Sequence, residues 1–256
     1  MGAMAALPAA LLWDVDGTLA ETELDGHRLA FNRAFAEAGL RWHWDPALYL
    51  GLLRISGGRE RLHHFLTEAE GQLPDSRRVE ALQAAKQRHY GALVAAGELR
   101  LRPGVARLMA AAAAAGLRQA IVTTSGRPAV QALLERLLPE WQQQLPLWIC
   151  GEDVAAKKPH PEAYRLALSR LALDPAQVLA IEDSGNGLAA ARGAGLAALV
   201  TRSAASAVEP AEVFIAATAQ LDHLGDPGQP CTVLSGPACP GGCVTLSYLQ
   251  QLLPRG

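Results

Sequence analysis

The chain has 256 residues, 50% of them hydrophobic and 19% charged, with a formal net charge of −2. That apolar content supports a real core and excludes a disordered chain. The near-neutral balance argues against nucleic acid or an anionic membrane as partner, since both favour basic patches, but leaves room for a small anionic substrate.

Met1-Gly2-Ala3-Met4 lacks the charged start of a signal peptide, and no myristoylation signal follows it. The alanine run 110–115 is too short and too weakly apolar to span a membrane. The expectation is a cytoplasmic protein with no membrane or nucleic-acid partner.

The apolar run 9–13 predicts a buried strand, and it ends at Asp14-Val15-Asp16-Gly17-Thr18. Residues 22–97 have a different character: strand-free, amphipathic and charged, with helical patterns over 25–39 and 76–94. They predict a helical insert folded as a cap, leaving 1–21 and 98–256 as the core domain. A helix over 105–115 leads to a second strand at 119–122, which ends at Thr123-Thr124-Ser125-Gly126. After a helix at 128–138 and a strand at 146–149 comes Lys157-Lys158-Pro159-His160-Pro161, opening a helix to 171. The strand 178–181 ends at Glu182-Asp183-Ser184-Gly185-Asn186-Gly187, ahead of a helix at 188–194 and a fifth strand at 197–200. Strands alternating with helices predict an α/β fold with a doubly wound parallel sheet, whose ligands bind beyond the carboxyl ends of the strands.

Beyond Leu224 the chain is rich in Gly, Pro and Cys, and reads as a loop before a helix at 246–253. Four cysteines are too few for a disulfide scaffold. Cys231, Cys239 and Cys243 allow a zinc or redox site, but no histidine or second paired motif sits at zinc-like spacing. Unpaired thiols in a reduced compartment are the preferred reading.

The strand ends carry the chemistry. In Asp14 and Asp16, one carboxylate can attack phosphorus while the other protonates a leaving alcohol and later activates water. Such a pair also suits a hard cation, although Asp and Gly favour plain turns as well. Thr123, Thr124 and Ser125 can hold phosphate oxygens, or cap the following helix. Lys158, stiffened by the following proline, can face a phosphate and a carboxylate; alone it would more often be surface charge. Glu182 and Asp183 are a second acid pair suited to metal ligation, compatible with helix capping by their neighbours.

In this order the four segments resemble the four motifs of the haloacid dehalogenase superfamily of phosphohydrolases, over essentially the whole chain. The resemblance implies a Rossmann-like core with an inserted α-helical C1 cap. It implies Asp14 as nucleophile, Asp16 as general acid and base, and Thr123 and Lys158 on the transferring phosphoryl group. It implies Mg²⁺ on Asp14, on the backbone carbonyl of Asp16, on Asp183, and on Glu182 directly or through water. Trp13 departs from the usual Phe.

Thr18-Leu19-Ala20-Glu21-Thr22-Glu23, Asp25-Gly26-His27-Arg28, Trp42-His43-Trp44 and Leu53-Arg54-Ile55-Ser56-Gly57-Gly58-Arg59-Glu60-Arg61 resemble the CbbY group encoded with Rubisco operons. That group is similar to phosphatases of xylulose 1,5-bisphosphate, a Rubisco inhibitor. Ser56 and Arg59 stand where Thr and Lys are usual. The expected substrate-binding residues are Glu23, His27, Arg59, Lys86, Thr124 and Ser125. Arg54, Arg61 and Arg88 add cations for a distal phosphate. Trp42 and Trp44 read as packing anchors. The expected protein is a Mg²⁺-dependent phosphatase of a phosphorylated sugar, acting as a monomer. A phosphoglucomutase, a phosphoglycolate phosphatase and a non-catalytic binding protein on the same scaffold are the alternatives.

Overall fold

The structure is a computed structural model and describes residues 6–254; the residues behind the signal-peptide reading lie outside them. Seven strands form one sheet: β1 Ala10–Trp13, β2 Arg118–Val122, β3 Leu147–Ile149, β4 Val178–Glu182, β5 Ala197–Thr201, β6 Ala219–Leu221 and β7 Val233–Ser235. Their order is β3-β2-β1-β4-β5-β6-β7; β1 to β6 are parallel, and β7 pairs antiparallel with β6. The sequence reading missed the last two. Each is three residues long, too short for periodicity to register, and β7 lies among Gly, Pro and Cys.

Side chains alternate across each strand, so the sheet buries two cores. Leu11, Trp13, Leu179 and Ile181 face one; Ala10, Leu12, Val178 and Ala180 face the other. Trp13, where the resembled family has Phe, is fully buried and donates from Nε1 to Oε1 of Gln119 at 3.0 Å. Gln119 in turn donates to Met109 O at 3.0 Å. The larger ring is accommodated because its one polar atom has a partner.

Between β1 and β2 the chain forms a π-helical turn, Glu23–Arg28, and then α1 Leu29–Glu37, α2 Pro46–Leu52, α3 Gly58–Glu70 and α4 Ser76–Ala95. These helices have a core of their own around Phe31, Phe35, Trp44, Tyr49, Leu62 and Leu66. Trp44 packs against Phe31, Phe35 and Phe65, and Trp42 lies edge-on to Phe35 and Phe65. Both tryptophans are therefore packing residues.

The sheet is flanked by α5 Val105–Ala114, α6 Arg127–Leu137, α7 Trp141–Gln144, α8 Glu162–Leu171 and α9 Gly185–Gly193, with α10 Leu246–Gln251 near the end. Strand β1 sits between β2 and β4, where the order of the sheet reverses. A crevice opens there at the carboxyl ends. Trp13 pairs with both Ile121 and Ile181, so the register delivers Asp14 beside the ends of β2 and β4.

Candidate active site

Asp14 leaves β1 with its N–H donating to Ile181 O at 3.0 Å. One carboxylate oxygen accepts from Lys158 Nζ at 2.7 Å and the other from Thr18 Oγ1 at 3.1 Å. Lys158 also donates to Glu182 Oε1 at 2.6 Å and to Val122 O at 2.8 Å, which ties the ends of β1, β2 and β4 together. Tyr164, from α8, donates its hydroxyl to the same Glu182 oxygen. Burial is the largest influence on Asp14 and pushes its carboxyl up to about 7; Lys158 opposes the rise, and Glu182 and Asp16 add to it.

Asp14, Glu182 and Asp183 offer three buried ligand oxygens within 4.8 Å of one another. Asp183 accepts from Ser203 Oγ at 2.6 Å, and burial together with the Asp14 charge holds its carboxyl well above the ordinary range. Glu182 Oε2 is buried with no hydrogen-bond partner. Two glycines make the cluster possible. A Cβ at Gly17, where φ is +79°, would fall 2.1 Å from Asp183 Oδ2; one at Gly187 would fall 1.8 Å from Glu182 Oε2. Three buried carboxylates facing the single ammonium of Lys158, with one oxygen unpartnered, fit a hard divalent cation.

Asp16 points the other way. Its carboxylate accepts from Thr22 Oγ1 at 2.5 Å, from His27 Nε2 at 2.8 Å and from Ser125 Oγ. Burial works against the charge, but His27 and these donors hold the carboxyl well below the usual range. His27 stacks on Tyr90 at 4.3 Å, and its Nδ1 lies 2.9 Å from Lys86 Nζ. The ammonium can only donate, which makes Nδ1 the acceptor and leaves Nε2–H to face Asp16. A continuous chain Lys86→His27→Asp16 thus crosses from α4 to the strand end. Burial lowers Lys86 to about 8.

A second buried chain holds Glu23. Arg61 Nη1 donates to the Tyr49 hydroxyl at 2.9 Å, and that hydroxyl donates to Glu23 Oε2 at 2.5 Å.

The crevice has two lobes. One, about 640 Å³, is lined by Asp14, Lys158, Asp183, Ser56 and Asn186; the other, about 380 Å³, by His27, Lys86, Arg59, Glu60 and Lys157. Asp16, Glu23, Arg61 and Thr124 line both. Further contacts at the rim tie the helical segment to the sheet side. Lys157 Nζ lies 2.7 and 2.8 Å from the Glu60 carboxylate oxygens, and Asn186 Nδ2 donates to Ser56 Oγ at 3.2 Å.

Several expected residues take unexpected places. Thr123 is buried, its hydroxyl accepting from Ser125 N–H at 3.1 Å, while Thr124 faces both lobes. The Ser125 hydroxyl is engaged by Asp16. Arg59 is exposed and pairs with Glu80 at 3.4 Å, whereas Arg61 is the buried cation. Arg88 pairs with Glu37 at 2.5 Å on the surface and lines neither lobe. The sequence reading missed Thr22, Tyr49, Arg102, Tyr164 and Ser203. Arg102 is buried, donates to the carbonyls of Gly17, Thr201, Arg202 and Asp222, and thereby anchors the loop after β1. None of the five stands beside a motif acid in a way that spacing alone marks. Only contacts across elements reveal them.

The comparisons with known proteins agree with this geometry. A family model described as haloacid dehalogenase-like hydrolase matches residues 8–195. Protein CbbY from a Cupriavidus necator plasmid is 46% identical over 229 residues, covering 86% of this chain and 87% of that protein. Protein CbbY of Cereibacter sphaeroides is 45% identical over 193 residues, covering 75% and 83%. The crystal structure of a mutant of CbbY from Rhodobacter sphaeroides in complex with xylulose 1,5-bisphosphate superposes with a TM-score of 0.79. It is 41% identical and covers 85% of this chain and 95% of that one.

Proposed function

We propose, on the premise that the chain belongs to the haloacid dehalogenase-like hydrolases, that this phosphatase hydrolyses xylulose 1,5-bisphosphate with Mg²⁺ as cofactor. The observation that carries the reading is the crevice itself. One lobe holds a buried carboxylate beside a lysine and an acid cluster, and the other is rimmed by Arg59, Lys86 and Lys157. A sugar with a phosphate at each end fits two lobes that share a wall. The similarity to a CbbY solved with that bisphosphate supports the same substrate class. Residues 22–97 would be the cap, with the π-helical turn bringing Glu23 to the wall between the lobes and His27 to the smaller lobe.

In this reading Asp14 attacks the phosphorus. The bond from phosphorus to the sugar oxygen breaks, and the leaving oxygen takes a proton from Asp16. Asp16 then takes a proton from water, whose oxygen attacks the aspartyl-phosphate and releases inorganic phosphate with Asp14 restored. In the free enzyme three donors hold Asp16 as an anion, the form that takes a proton from water. A dianionic phosphate arriving beside it raises its proton affinity, and Asp16 takes from solvent the proton that it then gives to the leaving oxygen. Lys158 holds the Asp14 carboxylate in place and presents positive charge to the phosphoryl oxygens. Asp14, Asp183, Glu182 and the Asp16 backbone carbonyl would hold Mg²⁺, which, when bound, neutralises phosphate charge during transfer. Thr124 and the backbone around it would hold phosphoryl oxygens at the shared wall, and Glu23 the sugar hydroxyls.

Phosphate release with Mg²⁺ from xylulose 1,5-bisphosphate, ribulose 1,5-bisphosphate, glucose phosphates and phosphoglycolate tests the reading. Xylulose 1,5-bisphosphate should be turned over with the highest kcat/KM. Equal turnover of all four defeats the substrate assignment, and an isomerised sugar phosphate in place of inorganic phosphate defeats hydrolysis.

A further inference from the structure

The C-terminal cysteines lie outside the residues matched by the family model and take no part in the chemistry above. Around β7 the chain folds back on itself: Cys231 N–H donates to Gly242 O at 2.7 Å, and Gly242 N–H donates to Cys239 O at 3.0 Å. These two bonds bring Cys231 and Cys239 together through Gly242, and each thiol is a near neighbour of the other. Both pack against the same face of the core, and both are partly exposed. The fold-back is closely fitted. Gly242 has a φ of +63°, and a Cβ there would fall 2.3 Å from Pro230 Cβ. Cys243 is also near Cys239. Cys150 follows β3 at the opposite edge of the sheet and is fully buried. Among the described residues only Asp14, Glu182 and Asp183 form a group of three whose metal-ligand atoms lie within 4.8 Å of one another; the tail cysteines form no such group.

We propose that Cys231 and Cys239 are a dithiol that closes to a disulfide by exchange with a small-molecule disulfide of the oxidised glutathione class. The thiolate of one cysteine attacks a sulfur of the small disulfide, and one small thiolate leaves. The thiolate of the other attacks the protein sulfur of the mixed disulfide, and the second small thiolate leaves. Two protein thiols are oxidised, one small disulfide is reduced to two thiols, and the two cysteine protons end on those thiols. Burial and the neighbouring sulfur push the Cys231 thiol up to about 12, and burial raises Cys239. Thiolates are therefore scarce at neutral pH and leave poorly. The bond closes slowly and, once closed, opens slowly: it is a staple on the tail and not a fast sensor. It lies next to Thr232, whose N–H donates to Asp222 Oδ1 at 2.7 Å, while Asp222 O accepts from Arg102, the anchor of the loop after β1.

The test incubates the full chain with excess oxidised glutathione, alkylates the remaining thiols and maps the products by mass spectrometry. The expected result is loss of two hydrogens from the pair Cys231–Cys239, two of the four cysteines still alkylatable after unfolding, and a Tm raised by about 5 °C. Cys231→Ser and Cys239→Ser should each abolish the shift, and Cys243→Ser should keep it. A protein that stays fully reduced, a bond to Cys243, or a persistent glutathione adduct overturns the proposal.

Discussion

The two sides of the crevice handle buried charge in opposite ways. On the sheet side, three carboxylates converge on one lysine and leave Glu182 Oε2 without a partner. On the helical side every buried charge is satisfied within the chain: Lys86 through His27 to Asp16, and Arg61 through Tyr49 to Glu23. The first arrangement leaves a surplus of like charge that a cation would offset, and the second is complete and positions its members. Burial alone therefore marks no reacting group; the surplus of like charge marks the cluster around Asp14, whereas Asp16, the proposed acid and base, belongs to the satisfied chain.

The sharpest way to break that contrast is Asp14→Asn. It should lower kcat by about 10⁴-fold or more, because the attacking oxygen is gone. It should also raise the Tm of the metal-free protein. The Asp14 carboxyl is raised from 3.8 to about 7, so its charged form costs stability above pH 7, and that cost is relieved as pH falls from 7 towards 3.8. The amide removes the cost at all pH values. A metal-free Tm that falls would show that the cluster is balanced without a cation.

Lys158→Met acts in the reverse sense. It leaves Asp14 and Glu182 buried without their ammonium, a loss of about 3–5 kcal/mol in chemical denaturation of the metal-free protein. Added Mg²⁺ should recover part of it by mass action. An unchanged midpoint would mean that the ion pair contributes nothing to the fold.

On the helical side the expected effects are smaller and depend on pH. Burial lowers Lys86 from 10.5 to about 8, with Asp16 and Glu23 opposing the fall and Arg61 adding to it. Its charge therefore costs stability below pH 8, and the cost is relieved as pH rises from 8 towards 10.5. Deprotonation also removes the cation that orients His27. The kcat/KM profile should fall above about pH 8, and Lys86→Met should run about tenfold lower without that alkaline limb. A variant that keeps the limb would place its origin elsewhere.

The same contrast explains what the amino-acid order made legible. Asp14, Asp16, Lys158, Glu182 and Asp183 were readable because each lies at the end of an apolar run or beside a helix-opening proline, and parallel strands bring such ends together. His27 and Lys86 could be named by resemblance, but not joined. Their separation of 59 in sequence is closed only by the packing of α4 against the π-helical turn. Arg59 and Arg61 show the limit most plainly. They are two arginines two positions apart on α3, within one turn and on opposite faces, and only the aromatic core around Tyr49 decides which is buried. Arg102 lay hidden for the same reason, since most of its partners are backbone carbonyls distant in the chain, with the Glu21 carboxylate and the Thr201 hydroxyl beside them.

The smallest expected effect lies where the two sides touch. Glu60, near the start of α3, meets Lys157, the neighbour of Lys158, at 2.7 and 2.8 Å. Gly57 stands between them with a φ of +92°, and a Cβ there would fall 2.2 Å from Glu60 Oε2 and 2.8 Å from Lys157 Nζ. The Glu60 side chain is 45% exposed, so water and salt screen the pair and its own energy is small, about 0.2–1 kcal/mol. Its leverage is positional, because it joins the helical side to the segment that carries Lys158. Glu60→Gln should raise KM by about two- to fivefold with kcat nearly unchanged, and the difference from wild type should shrink at high salt. Exchanging the charges in the double variant Glu60→Lys with Lys157→Glu should restore much of the lost affinity. If the exchange restores nothing while each single change acts alone, the two residues work independently, and the contacts of Asn186 with Arg54 and Ser56 join the two sides there.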